Sequence, residues 1–415
     1  MNIQRAREFL RLLSQKSMLV NLLLGFSSGL PLLLTSRTLQ LWFSYKGASN
    51  VLVGAIALIG LPYSLKFLWS PLLDRFKVLG MGRRRGWLIV TQIGVLASIW
   101  LMSLLDPIKQ TKWMMAGALL LAFMSASQDT VIDAYRREIL SDEEIGIGAS
   151  YYTMGYRVAM WMTGGLAVIL ASHMSWSSVY QITSLGIIVG IIATIIADEP
   201  TVDHVPKTLE QAIWLPFREF FKRDHAVVIL CFILLYKLGD AMAANMFSNF
   251  YVHLGFTPVE IGVVAKSFTP FSVTIGGFLG GALILRLGVY RSLFTFGILQ
   301  ALSTSTYAIL DILGHSIPML ATVVFLEDFS NGMNTIALVA YLSTLSNRNF
   351  TATQYALFIS LVNIPRVLIS STAGHFVDLF GFGGFFIFCA LLALPGLSIL
   401  YYLQRITGNT VTAGA

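Results

Sequence analysis

Charged residues are scarce in this chain of 415 residues, where Asp, Glu, Lys and Arg together make up 12%. That share is about half of what an ordinary water-soluble domain carries. Hydrophobic residues make up 56%, which is more than a soluble protein of this length can hide from water. Composition therefore excludes a soluble globular protein and predicts an integral membrane protein, for which the bilayer is the solvent.

Cysteine is nearly absent as well, and both cysteines, Cys231 and Cys389, fall inside apolar runs. A disulfide framework and a cysteine-based metal site are therefore not expected. The six histidines show no metal-ligand spacing, and there is no phosphate-binding glycine loop, so neither a metal, a cofactor nor ATP is predicted. Because no nucleophile–base constellation is found either, we do not expect an enzyme.

Long apolar runs dominate what remains. Each has about the 20 residues that a helix needs to cross a bilayer. They occupy residues 18–43, 51–73, 87–105, 113–135, 148–172, 178–197, 225–251, 259–286, 291–311, 317–345, 352–378 and 382–404. The pattern predicts an all-α integral membrane protein with 12 transmembrane helices.

The distribution of basic residues predicts the orientation. With a cytoplasmic N-terminus, the cytoplasmic segments hold 19 Lys and Arg residues, and the opposite side holds three: Lys46, Lys109 and Lys112. The positive-inside rule therefore places both termini in the cytoplasm. It also explains the net charge of +7 without any nucleic-acid partner.

The longest predicted loop, residues 198–224, divides the chain into an N-terminal half, 1–197, and a C-terminal half, 225–415. Each half contains six predicted helices. The loops "SPLLDRFKVLGMGRRRGW" and "GGALILRLGVYRSL" occupy matching positions in the two halves. Two parallel repeats of six spans are typical of the major facilitator architecture, which is our predicted fold.

Eleven charged residues lie inside the predicted spans. Each would cost about 2.5–3.5 kcal/mol at mid-bilayer on insertion scales, so they must face a bundle interior or a cavity. The acids are Asp129, Asp133, Asp240, Glu327 and Asp328, and the bases are Arg37, Lys66, Arg157, Lys237, Lys266 and Arg366.

Their depth in the membrane suggests roles for a transported ligand. Transporters of this architecture bind substrate near the bilayer midplane, where Lys66, Arg157, Lys237 and Arg366 are predicted to lie. These bases, with the polar residues Gln128, Asn245 and Tyr236, are our candidates for binding an anionic substrate.

Three of the acids are our candidates for binding protons. Glu327 has no base within one helical turn, and its apolar neighbours disfavour a charged carboxylate. Asp129 either titrates or anchors a basic partner such as Arg157. Asp240 lies three residues after Lys237, so an ion pair competes with a proton-binding role. For Asp133 we predict an ion pair with the neighbouring arginines.

The stretch "LLDRFKVLGMGRRRG" contains Asp74, Arg75 and Arg84 at the end of the second predicted span. An aspartate there can pair with an arginine or a helix N-terminus of a neighbouring span. We predict a conformational latch, the alternative being that the arginines only anchor the topology.

The stretches "KFLWSPLLDR", "SASQD" and "YKLGDA" together resemble the AmpG-type muropeptide permeases of Gram-negative bacteria. The resemblance implies proton-driven import of GlcNAc-anhydroMurNAc, with or without peptide, from periplasm to cytoplasm. It further implies an inner-membrane location and a part in cell-wall recycling and β-lactamase induction; a monomer is expected. Arg37 stands where the family pattern leads us to expect a small residue, and no role is assigned to it. The alternative is a transporter of another solute, such as a sugar, an acyl-CoA or a drug.

Overall fold

The computed structural model describes residues 15–141, 144–200, 225–345, 363–364 and 366–412, and this part of the chain is helical without strands. The chain divides into two compact units. The N-terminal unit comprises Met1–Lys46 and Ile59–Lys207, and the C-terminal unit comprises Gly47–Leu58 and Thr208–Ala415. The predicted linker, apart from residues 198–200, lies outside the described residues.

The described residues of the N-terminal unit form ten α-helices. They are α1 (Lys16–Leu34), α2 (Arg37–Tyr45), α4 (Leu61–Leu65), α5 (Ser70–Arg75), α6 (Arg84–Ser103), α7 (Thr111–Ile139), α8 (Ile145–Trp161), α9 (Ala167–Leu170), α10 (Trp176–Leu185) and α11 (Ile187–Ile196). A short helix before α4, α3 (Asn50–Ala55), belongs to the C-terminal unit.

Close packing of α1 against α8 organises the N-terminal unit. A Cβ atom added to Gly25 would lie 2.1 Å from the Tyr152 carbonyl oxygen, and one added to Gly155 would lie 2.0 Å from the Leu22 carbonyl oxygen. Gly29 meets the Tyr156 backbone in the same way. Gly25 and Gly29 form the GxxxG spacing through which membrane helices approach closely.

Several of the predicted spans are interrupted helices. The first breaks between α1 and α2 at Thr35 and Ser36, just after Pro31. The second changes to 3₁₀ geometry at Ile56–Gly60 and again at Lys66–Leu68. Such 3₁₀ stretches inside a helix are common at hinges and functional sites. The chain passes from one compact unit to the other within Ile56–Gly60.

The described residues of the C-terminal unit form α3 and eight further α-helices. These are α12 (Ala226–Tyr236), α13 (Leu238–His253), α14 (Pro258–Glu260), α15 (Thr269–Leu287), α16 (Val289–Leu313), α17 (Ile317–Leu345), α18 (Ala373–Leu391) and α19 (Ala393–Thr412). Within α18 the helix is interrupted at Gly381, whose φ of 70° is left-handed. Predicted spans 11 and 12 meet at this residue.

Glycines also bring α15 against α17. Added Cβ atoms at Gly276 and Gly332 would lie 2.0 Å from the Phe329 carbonyl oxygen and 2.3 Å from the Val273 carbonyl oxygen. The adjacent Gly277 has its nearest neighbour, an Ile336 side chain, at 3.5 Å. The motif "GGFLGG" is therefore a helix-packing surface on one face of α15 only.

Helix α3 packs on α13 and α18 within the C-terminal unit. Gly54 and Gly374 make the close approach, since a Cβ on Gly374 would lie 2.1 Å from the Asn50 carbonyl oxygen. Asn50 donates to Asp378 Oδ1 at 2.5 Å and is bonded to Asn249. These contacts explain why Gly47–Leu58 packs with the C-terminal unit although it precedes the predicted boundary.

Eight helical stretches of the described residues are long and apolar enough to cross a membrane. Among the other predicted spans, the second is a shorter helix, Asn50–Leu65, and α8 has 17 residues before it continues as a π-helix. Much of the eleventh lies outside the described residues. An all-helical membrane protein is therefore confirmed, whereas the count of twelve stays a prediction.

Candidate functional site

In the N-terminal unit, three helices converge on Asp129 of α7. Ser28 of α1 donates its hydroxyl to Asp129 Oδ1 at 2.5 Å, and the Tyr152 hydroxyl of α8 lies 2.7 Å from Ser28 Oγ. Ser28 is buried, while Asp129 and Tyr152 are partly exposed. Because Ser28 stands between Gly25 and Gly29, the same close packing that joins α1 to α8 brings the two hydroxyls together.

A second carboxylate, Asp133, lies one turn further along α7 and is half exposed. Arg136 Nη2 lies 3.0 Å from Asp133 Oδ1, which confirms the predicted pair, and Lys66 Nζ lies 4.0 Å from Asp133 Oδ2. The Arg136 guanidinium also covers the Tyr152 ring, 4.5 Å from its centroid. The Asp133 and Asp129 clusters are thus joined through Tyr152.

Lys66 is also the base whose charge acts on Asp129, and Asp133 is the neighbouring acid that repels it. Arg157 lies exposed on α8 and makes no ion pair among the residues that the structure describes. The structure therefore favours Lys66 over Arg157 as the basic neighbour of Asp129. Arg366 is partly buried in a helical stretch, residues 366–370.

Gln128 points to another part of the N-terminal unit. Its side chain is buried and donates to Ser27 Oγ at 3.1 Å. Nearby, the buried Gln92 accepts from Thr194 Oγ1 at 3.1 Å. In this conformation Gln128 is part of a buried polar network, and substrate contact by Gln128 stays a prediction.

In the C-terminal unit, Lys237 and Asp240 form the ion pair that their spacing predicts. Lys237 Nζ donates to Asp240 Oδ2 at 2.9 Å and to Asn331 Oδ1 of α17 at 3.0 Å. The exposed fractions of the two charged side chains are 9% and 16%, so the pair is largely shielded from solvent. Lys237 lies at the junction of α12 and α13, where the two helices are separated by this one residue.

Glu327 of α17 is buried beside the same pair and is held by α16. Its carboxylate accepts from Gln300 Nε2 at 2.7 Å, from Ser303 Oγ at 2.8 Å and from Thr304 Oγ1 at 3.0 Å. Sequence reasoning missed these three donors. The signal was available, since residues 300, 303 and 304 have the spacing of one helix face.

Two predicted substrate residues lie in helix contacts. The Asn245 amide donates to the Gly54 carbonyl at 3.0 Å and to the Ser370 carbonyl at 2.7 Å, both in the C-terminal unit. Tyr236 lies in a core cluster with Phe232 and its hydroxyl donates to the Leu293 carbonyl at 2.6 Å. Substrate contact by Asn245 and Tyr236 stays a prediction.

Arg84, one member of the predicted latch, lies in a charged cluster at the start of α6. Its guanidinium holds Glu138 of α7 at 2.5 Å and 2.9 Å. The backbone N–H groups of Arg84 and Arg85 donate to Glu199, which therefore caps the positive end of α6. Sequence reasoning missed Glu138 and Glu199. The side chains of Asp74 and Arg75 lie outside the described part of the chain.

In the part of the chain that the structure describes, no group of three His, Cys, Asp or Glu side chains is arranged to hold a metal ion. The two sites are instead carboxylates surrounded by hydroxyl, amide and amine donors. Such groups suit proton binding and recognition of a polar ligand in a membrane interior.

The family model of the Major Facilitator Superfamily matches residues 17–265. The helical fold agrees with it. A crystal structure of a bacterial homologue of the human lysosomal transporter Spinster superposes with a TM-score of 0.70 at 14% identity, covering 94% of this chain and 96% of that one. A crystal structure of a mutant of the peptide transporter POT in complex with sulfate also gives a TM-score of 0.70, at 11% identity and 94% of both chains. The chain belongs to the major facilitator superfamily.

Within that superfamily, the chain belongs with the anhydromuropeptide permeases. It is 44% identical over 401 residues to the anhydromuropeptide permease of Escherichia coli K12, covering 96% of this chain and 82% of the relative. A Haemophilus influenzae protein is 38% identical over 401 residues, covering 94% of each chain. The resemblance to AmpG-type permeases is therefore confirmed.

Proposed function

We propose that this protein is a proton-driven symporter that imports anhydromuropeptides from the periplasm to the cytoplasm for cell-wall recycling. The choice of substrate rests on the 44% identity, over 96% of the chain, to a protein named anhydromuropeptide permease. That identity supports muropeptide transport. Coupling to protons is proposed from the family resemblance together with the acids inside the helices.

The proton coupling is supported by acids held in contact with polar partners inside the helices. Asp129 has Ser28 as its donor and Lys66 as its nearby base, and Asp240 has Lys237. Glu327 accepts from three side chains. Each carboxylate has partners that can accept a hydrogen bond from its protonated form or compensate its charge when it ionises. We assign proton binding to Asp129, Glu327 and Asp240.

Substrate binding is assigned to bases inside the predicted spans. Lys66 is held only weakly, at 4.0 Å from an acid, and Arg157 is exposed. Both are therefore available for the carboxylates of a peptide stem. Lys237 would bind substrate only by leaving Asp240, so substrate binding and the charge of Asp240 would be linked. Arg366 completes the proposed set.

The location follows from the same proposal. The protein lies in the inner membrane with both termini in the cytoplasm, as the basic residues predict. Its twelve helices would form two six-helix halves that expose the substrate site alternately to the two sides.

Proteoliposomes containing the purified protein test this function. Labelled GlcNAc-anhydroMurNAc should accumulate when the outside is acidic, and a protonophore should abolish the accumulation. Uptake that ignores the imposed pH difference would refute the coupling. Chemical conversion of the disaccharide without transport would refute the transporter.

A further inference from the structure

The Ser28 hydroxyl differs from many serine and threonine hydroxyls in helices. Such side chains usually donate to a carbonyl one turn back in their own helix. Thr130 donates to the Ala126 carbonyl at 2.9 Å, and Ser98 donates to the Gly94 carbonyl at 2.7 Å. Ser28 instead bonds across two helix interfaces, to Asp129 of α7 and to Tyr152 of α8.

The direction of these two hydrogen bonds follows from counting protons. An ionised Asp129 can only accept, so Ser28 donates its single proton to the carboxylate. That proton is then unavailable for the second bond, so the bond between the hydroxyls must be donated by Tyr152. The chain runs from the Tyr152 O–H to the Ser28 O–H and then to Asp129.

We infer that Tyr152 and Ser28 form a proton relay to Asp129, a chain of hydroxyls whose direction reverses when Asp129 takes up a proton. The inference rests on the proposed proton symport. A proton arrives at the Tyr152 oxygen, the Tyr152 proton passes to Ser28, and the Ser28 proton passes to Asp129. Three O–H bonds form and three break, counting the bond in the hydronium ion that delivers the proton. The carboxylate gains one proton, a water molecule is left behind, and both hydroxyls stay neutral.

The two ends of the relay, Tyr152 and Asp129, are partly exposed, whereas Ser28 between them is buried. The Arg136 guanidinium over the Tyr152 ring disfavours a cationic intermediate there, so we expect the two transfers to be concerted.

Other groups around Asp129 also respond to its charge. The titratable and charged side chains that act on it, or that it acts on, are Lys66 of the 3₁₀ turn, Asp133 of its own helix, Tyr63 of α4, and Tyr152 and Tyr156 of α8. Tyr156 offers a matched control. Its ring lies 6.1 Å from that of Tyr152, and its hydroxyl makes no hydrogen bond among the described residues.

The experiment compares the wild type with Tyr152→Phe, Ser28→Ala and Tyr156→Phe in proteoliposomes. Exchange of labelled for unlabelled GlcNAc-anhydroMurNAc at equal pH needs no net proton movement, and it also reports folding. Uptake driven by an acidic exterior requires proton delivery. Since general acid–base groups contribute at least about 100-fold in many sites, we expect Tyr152→Phe and Ser28→Ala to slow driven uptake at least tenfold.

Exchange should stay within about twofold of wild type in both relay variants, because Asp129 and the bases remain. Driven uptake by the wild type should also slow more in D₂O than exchange does. Tyr156→Phe should behave as wild type in all assays.

Three outcomes would overturn the relay. Driven uptake by Tyr152→Phe at the wild-type rate would show that no proton passes through its hydroxyl. Loss of exchange together with driven uptake in Tyr152→Phe would assign Tyr152 to substrate binding or folding. Equal loss in Tyr156→Phe would show a ring-packing effect. If uptake by the wild type does not respond to the pH difference, the proposed proton symport itself is wrong. The wild-type control therefore distinguishes failure of the proposed function from failure of the relay alone.

Discussion

Buried charged residues in the C-terminal unit are stabilised by specific polar partners, and removing a partner should lower the stability of the protein measurably. Lys237 and Asp240 are shielded from solvent, and Lys237 also bonds Asn331. Removing one member of a buried pair leaves an uncompensated charge, which is far more costly than removing both. The buried Glu327 carboxylate likewise relies on the hydrogen bonds that it accepts from Gln300, Ser303 and Thr304.

We predict that Lys237→Met and Asp240→Asn are not additive. Lys237→Met should lower stability by about 3 kcal/mol because Asp240 stays buried without its cation. The double variant should recover at least half of the lost stability. Thermal unfolding of the purified variants in one detergent measures this, and a double variant less stable than Lys237→Met would contradict the pairing.

Glu327→Gln should separate exchange from proton-driven uptake. Glutamine has a similar shape and keeps an acceptor for the α16 donors, but it cannot carry a proton. We expect exchange near the wild-type rate and loss of accumulation under an acidic exterior. Asp311→Asn is the control, since the hydrogen bond that Asp311 makes among the described residues is the one it accepts from the Gly383 N–H at 3.0 Å. Full accumulation by Glu327→Gln would remove Glu327 from the coupling set.

At the scale of helices, glycines determine which elements approach closely. Gly276 faces the α17 backbone, and its chain neighbour Gly277 does not. The same substitution at these two adjacent positions changes the helix propensity equally, in the same helix and at nearly the same depth. The steric effect differs, because Gly276 alone of the two faces the backbone of α17.

Gly276→Ala should destabilise the protein by about 1–3 kcal/mol through overpacking, whereas Gly277→Ala should be neutral or stabilising by up to about 1 kcal/mol. Thermal unfolding in detergent gives both values. Equal effects at the two positions would mean that α15 does not pack on α17 through this face.

Some of these contacts were predictable from local spacing, and others were not. The pairs Lys237–Asp240 and Asp133–Arg136 lie three residues apart on one helix, so the sequence alone predicts them. The Ser28–Asp129 bond joins residues 101 positions apart, and Arg84–Glu138 joins residues 54 apart. Such partners depend on how helices pack, which spacing within one helix does not reveal. For the Ser28–Asp129 bond, the available sequence signal was the GxxxG spacing of Gly25 and Gly29, which indicates that another helix packs closely beside Ser28.

At the scale of the whole molecule, the fold was predictable because the low charge content and the long apolar runs extend over the entire chain. The loss of charged residues required a membrane solvent, and short motifs carried the resemblance to muropeptide permeases. The packing of Gly47–Leu58 with the C-terminal unit was not predictable, because it depends on the contact of Gly54 with Gly374.

The central claim is that this chain couples anhydromuropeptide import to proton entry. The most direct test measures GlcNAc-anhydroMurNAc uptake and internal pH together in proteoliposomes with no imposed gradient. We predict that adding the disaccharide outside acidifies the interior, that empty liposomes show no change, and that Asp129→Asn loses the acidification. Disaccharide entry without any acidification by the wild-type protein would contradict it.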